Sequence, residues 1–100
     1  MRLEWRPMAL EDRAAIMAYI GQDNPAAALK LDEDFEEQAE KARRSPTLYK
    51  AGRMKGTREI VVRPSYVMVY QAEAEAIVIL RVLNAAQAWP PTAAKKGSKE

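Results

Sequence analysis

Five basic side chains between residues 53 and 81, Arg53, Lys55, Arg58, Arg63 and Arg81, stand beside two tyrosines, Tyr66 and Tyr70. Guanidinium groups grip carboxylates and phosphates through paired N–H donors, and a tyrosine ring offers a stacking face with a polar tip. Two kinds of chemistry follow. One is the binding of a polyanion, either nucleic acid or an acidic protein surface. The other is stabilisation of charge building up on a phosphate, with Tyr70 or Glu59 handling protons. The chain contains neither histidine nor cysteine. Zinc sites, Ser-His and Cys-His mechanisms and disulfides are therefore disfavoured, and no metal or cofactor is expected.

Charge is unevenly spread along the 100 residues, although the net is only +2. Residues 1–42 hold five basic and ten acidic side chains, a net of −5, whereas residues 43–100 hold eleven basic and four acidic, a net of +7. From Arg43 to Arg63, seven cations (Arg43, Arg44, Lys50, Arg53, Lys55, Arg58, Arg63) face a single acid, Glu59. Such a segment attracts polyanions, or else is a solvated basic loop.

The elements that must position these groups are legible in the apolar pattern. Arg2 to Arg6 alternates, with Leu3 and Trp5 on one face, as in a half-buried strand ended by Pro7. A helix follows from Pro7 or Met8 to Ile20, with Glu11 and Asp12 near its positive end and Leu10, Ala14, Ile16, Met17 and Ile20 as apolar positions. Gly21 stops it. Asn24-Pro25 starts a second helix, in which Ala28, Leu31, Phe35, Ala39 and Ala42 form one stripe down to about Arg43. Its other face carries Asp32, Glu33, Glu36, Glu37 and Glu40, a solvated surface rather than an acidic recognition face. After Ser45-Pro46 comes a basic connector with Gly52 and Gly56. Three Val-, Ile- and Tyr-rich runs then form a meander: 58–63, 66–71 and 77–83. The expected fold is α+β, in the order β-α-α-β-β-β: a small antiparallel sheet with a helical hairpin packed on one face. One domain over residues 1–91 and a flexible tail over 92–100 complete the reading. No run of membrane-spanning length or signal peptide is visible, so a cytoplasmic location is expected.

Strand alternation sorts the faces. Tyr66, Met68 and Tyr70 share one, and Val67 and Val69 the other. Ile77, Ile79, Arg81 and Leu83 share a face of the last run. With the all-aliphatic set against the helices, Tyr66, Tyr70 and Arg81 fall on an open face next to the basic connector, suited to a phosphate chain and stacked bases. Alternatively the tyrosines pack the edge of the core and Arg81 pairs with Glu59 or Glu73. Arg58 and Arg63 have opposite parity, so an unbroken strand cannot aim both at one ligand.

The strand, the helical hairpin with its Asp-Asn-Pro start, Gly56-Thr57-Arg58-Glu59-Ile60-Val61-Val62, Tyr66-Val67-Met68-Val69-Tyr70 and the segment Ile79-Leu80-Arg81-Val82-Leu83 through Trp89-Pro90 resemble the RelE/ParE superfamily over residues 1–90. That resemblance implies a toxin of a bacterial type II toxin–antitoxin module, a plasmid-stabilisation or addiction system. Such a toxin arrests growth and is neutralised in a hetero-oligomer with a cognate antitoxin. For the RelE-like branch it implies a ribosome-dependent, metal-independent mRNA endonuclease with ribosome and mRNA as partners, and Arg58, Tyr70 and Arg81 as its catalytic candidates. For the ParE-like branch it implies inhibition of DNA gyrase by binding, without catalysis. RelE-type nucleases carry an arginine where Val67 stands, and a basic pair and tyrosine where this chain has Ala85-Ala86-Gln87. The turn before Arg58, Tyr70 and Ile79–Leu83 resemble the ParE-like branch better. Arg53, Lys55, Arg58, Arg63, Tyr66 and Arg81 are the expected anion-binding set for either partner.

Overall fold

In the computed structural model, which describes residues 1–87 and 89–90, six elements follow the expected order: β1 (Arg2–Trp5), α1 (Pro7–Gly21), α2 (Pro25–Arg44), β2 (Arg58–Val62), β3 (Tyr66–Ala72) and β4 (Ala76–Asn84). The expected domain boundary at residue 91 and the tail beyond it lie outside the described residues. β2, β3 and β4 form the antiparallel meander. β1 joins it parallel to β4, giving the order β1-β4-β3-β2 and a mixed sheet. The long connection between β1 and β4, through both helices and the other two strands, leaves ample chain for the crossover that a parallel pair requires.

α2 forms as its sequence dictates. The Asn24 side chain accepts the Ala27 amide at 3.1 Å, satisfying one of the free donors of the first turn, and Pro25 needs no donor there. Its stripe of Ala28, Leu31, Phe35, Ala39 and Ala42 is buried throughout. α1 differs from its expected pattern. Leu10 and Ala14 face solvent, and the row that meets the core is Ala9, Arg13, Ile16 and Ile20. Arg13 stands in that row with its guanidinium 4.4 Å from the Trp5 ring centre and ion-paired to Asp32 at 2.8 Å and Glu36 at 2.7 Å on α2. Burial alone pushes this guanidinium toward losing its proton, but the two carboxylates outweigh it and hold the pKa above its ordinary value. The acidic face of α2 is thus only partly solvated: Asp32 and Glu36 join the two helices, and Glu40 binds Arg43 at 2.9 Å.

On β3 and the first half of β4 the sheet faces are the reverse of those expected from parity, whereas Val82 lies on the helix side, as expected of the aliphatic set. Tyr66, Met68 and Tyr70 lie against the helices together with Ile60, Val62, Ile77, Ile79 and Val82. Val67, Val69 and Leu83 form a second cluster on the far face with Leu80 and Trp89. Two causes combine. The tyrosine rings pack as core, Tyr66 meeting Phe35 of α2 edge-on at 5.9 Å and Tyr70 meeting Tyr49 of the connector at 6.2 Å. β4 also carries a bulge: Val69 pairs with Arg81 but Tyr70 pairs with Ile79, so Leu80 is extra. One extra residue reverses the alternation, which turns Val82 toward the helices and Leu83 away. The open tyrosine face does not exist.

Candidate functional site

Most of the basic residues singled out in the sequence are bound within the fold, at four separate places. Arg81 is on β4 just past the point where β1 has ended, so the outer edge of β4 has no neighbouring strand there. Asp12, the sixth residue of α1, fills that gap. Its carboxylate accepts the Val82 amide at 2.9 Å and both Nε (2.8 Å) and Nη2 (3.0 Å) of Arg81. The bidentate pair raises the pKa of Arg81 despite its burial. Glu59 and Glu73, the expected partners, are elsewhere.

Arg63 follows β2 in the hairpin turn, at φ 65°, a left-handed conformation that a non-glycine residue seldom adopts. Its Nε donates to Asp34 of α2 at 2.9 Å and its Nη2 to the same oxygen, and Lys30 lies 3.4 Å from the other oxygen. The hydrogen bonds from Arg63 hold the Asp34 pKa below its ordinary value. Arg53 reaches Glu59, which accepts both the Arg53 amide at 2.8 Å and its Nε at 3.1 Å. Burial pushes the Glu59 pKa up, but these bonds and the nearby Lys50 charge bring it below the usual value. Lys55 is exposed at the tip of the connector.

Tyr70 is fully buried, and its hydroxyl donates to the Pro46 carbonyl at 2.6 Å. Burial raises its pKa, so the phenol keeps its proton at neutral pH. Tyr66 is half-buried. Arg58, also half-buried, donates through Nη1 to the Tyr49 carbonyl at 2.5 Å. Arg58 and Tyr70 are directly paired across β2 and β3, so the structure does bring these two together. Arg81 is two strands away from Arg58, at the opposite side of the meander. Sequence reasoning missed Asp12, Asp34 and Arg13. Only Arg13 left a signal: a charge falling in the apolar row of α1 needs a buried partner.

Two shallow grooves flank α1. One, about 250 Å³, runs between α1 and the end of β4 and is lined by Asp12, Ile16, Tyr19, Tyr66, Val82 and Asn84 among others. The second, about 530 Å³, lies between the start of α1 and the β4 bulge, with Met8, Leu80 and Trp89 on its walls. Two exposed apolar side chains of α1 line them, Tyr19 the first and Met8 the second. No helix among the described residues is long and apolar enough to cross a membrane.

This arrangement of a two-helix hairpin on a four-stranded sheet is the fold of solved toxin–antitoxin proteins. The chain is similar to the structure of the chromosomal ParDE TA system from P. aeruginosa, with a TM-score of 0.75 at 23% identity over 84% of this chain and 95% of that one. It also resembles the YoeB/ParE toxin from Agrobacterium tumefaciens, with a TM-score of 0.61 at 16% identity over 84% of this chain and 98% of that one. A third likeness is to the YoeB-YefM complex from Staphylococcus aureus (TM-score 0.57, 20% identity, 82% of this chain and 93% of that one). In sequence, the protein Y4kP of Sinorhizobium fredii is 32% identical over 90 residues, covering 89% of this chain and 93% of the relative. The family model described as the ParE toxin of the type II toxin-antitoxin system parDE matches residues 3–89, and the chain belongs to that family.

Proposed function

We propose that this toxin acts by binding DNA gyrase rather than by cutting RNA, and that a cognate antitoxin neutralises it in a hetero-oligomer. The observation that carries the first part is the fate of the nuclease candidates. A metal-independent endonuclease needs a titratable tyrosine and free guanidinium groups around one phosphate. Here the Tyr70 phenol is buried against a carbonyl and Arg81 is tied to Asp12. Val67, at the position where RelE-type nucleases carry arginine, is buried in the far-face cluster. These groups serve packing, which leaves a binding function as the better reading. Supercoiling by purified gyrase tests it: the protein inhibits the reaction, and inhibition is retained in Tyr70→Phe. Unchanged supercoiling at excess protein, with cleaved ribosome-bound messages in expressing cells, would instead establish the nuclease reading.

The antitoxin is supported by the similar solved structures, two of which are toxin–antitoxin assemblies by name. Apolar surface along α1 and the adjoining groove suits a partner that covers it. Coexpression with the protein encoded next to this chain's gene should yield a complex that survives size-exclusion chromatography and restores growth.

A further inference from the structure

Three arginines that the fold partly or largely buries, Arg13, Arg43 and Arg81, each have a carboxylate partner, as the desolvation of a cation requires. Arg58 is the exception. It is half-buried in the first position of β2, and no carboxylate among the described residues pairs with it. Its one hydrogen bond among those residues goes from Nη1 to the Tyr49 carbonyl, which leaves most of the five guanidinium N–H donors unengaged.

The surroundings of that fork are shaped to admit a ligand group. Arg58 lines a cavity of about 320 Å³ with Ala51, Gly56, Thr57 and Ala72, whose short side chains leave the room open. The rim is fixed. Ala51 bridges Arg58, Gly52 N–H donates to the Thr57 carbonyl at 2.7 Å, and a Cβ on Gly52 would come within 2.3 Å of Thr57 Oγ1. The Thr57 hydroxyl donates to the Met54 carbonyl at 2.6 Å, so Arg58 supplies the side-chain donors in the cavity. Lys50 and Lys55 stand on the same connector and raise the local positive potential.

We propose that Arg58 is the receptor for one carboxylate side chain, an aspartate or glutamate presented by a protein bound to this face. The inference rests on the reading above that this chain works by binding protein partners. A planar fork with most of its N–H donors unengaged matches a carboxylate, which two parallel N–H bonds satisfy. A phosphodiester presents a similar pair of charged oxygens, so the choice of a carboxylate follows from the reading that the partner is a protein.

The test is a titration of the full chain with sodium acetate, followed by the arginine Nε–H resonances, with sodium chloride and inorganic phosphate at matched ionic strength as comparators. Acetate is expected to shift the Arg58 resonance saturably and to leave that of Arg81 in place, because Asp12 already occupies Arg81. In Arg58→Gln, measured by the acetate-induced rise in melting temperature, the apparent affinity falls about tenfold or more, the loss expected for a charge-assisted pair. Should that variant fail to fold, the wild-type titration still decides. An Arg58 response to acetate no larger than to chloride overturns the proposal, as does equal or preferential saturation by phosphate. The titration involves neither gyrase nor an antitoxin, so its failure is distinguishable from failure of the functional reading.

Discussion

Arg81 and Arg58 sit on the two outer sides of the same meander, and their environments teach opposite lessons. At Arg81 the strand β4 outlives its neighbour β1, and the fold answers with a carboxylate that holds both the guanidinium and the orphaned Val82 amide. The charge is consumed by structure. At Arg58 the guanidinium meets a carbonyl and an open cavity, with no carboxylate of the described chain beside it. The charge is left over. Residue type alone does not distinguish the two, since both read as candidate anion binders in a basic, tyrosine-rich segment. What distinguishes them is whether a distant acid has been folded against them.

Substitutions that remove the acid or the cation make this contrast measurable. The largest effect is expected from Asp12→Ala, which strands a largely buried Arg81 and leaves the Val82 amide without a partner. A loss of about 2–4 kcal/mol in denaturant unfolding follows from breaking such a pair on one side. A cost near zero would mean that water reaches Arg81 and that the staple is decorative. Tyr70→Phe comes next. It deletes the donor to the Pro46 carbonyl and is expected to cost about 1–2 kcal/mol, with growth arrest retained in cells that still accumulate the protein. Loss of toxicity without loss of fold would return Tyr70 to the list of reacting groups.

Arg58→Gln should be milder for stability, about 1 kcal/mol or less, because a single hydrogen bond to a carbonyl is removed and an unpaired charge disappears with it. If instead it destabilises as strongly as Asp12→Ala, Arg58 belongs with Arg81 and the contrast collapses. The smallest effect is expected from pH. Glu59 and Asp34 both have folded-state pKa values below their ordinary values of 4.5 and 3.8. Each binds protons less readily folded than unfolded, so its contribution is fully present above the unfolded value and is lost as pH falls through the folded one. Thermal melts should therefore decline on acidification below those values. The decline should be shallower in Glu59→Gln and unchanged in Arg58→Gln, which bears on neither carboxylate.

How far the sequence discloses this arrangement depends on the range of the interaction. α2 is local: a cap, a proline and five apolar residues at intervals of three and four define both its ends and its buried face, and the structure has each of them. The element order is legible for the same reason, because turn residues bound every strand. The faces of the sheet are another matter. Period-two alternation groups Ile77, Ile79, Arg81 and Leu83, yet the bulge at Leu80 divides that group, and nothing in Ile79-Leu80-Arg81 announces an extra residue. Nor does composition reveal which face a helix covers when both faces of the central strands are apolar. The site is least legible of all. Asp12 and Arg81 are 69 residues apart, and Asp12 looks like an ordinary acid near a helix start until the fold brings β4 beside it. Arg13 was the one hint, a cation in a core-facing row, answered by two acids across the hairpin.

Under the proposed function, this family member binds gyrase while Tyr70 and Arg81 hold the fold. Pulse labelling of DNA and protein synthesis after regulated expression in a bacterial host tests it most directly. DNA labelling should fall first, with an SOS response, in cells expressing either the wild-type chain or Tyr70→Phe. A prompt fall in protein labelling with DNA synthesis spared, abolished by Tyr70→Phe, would contradict it.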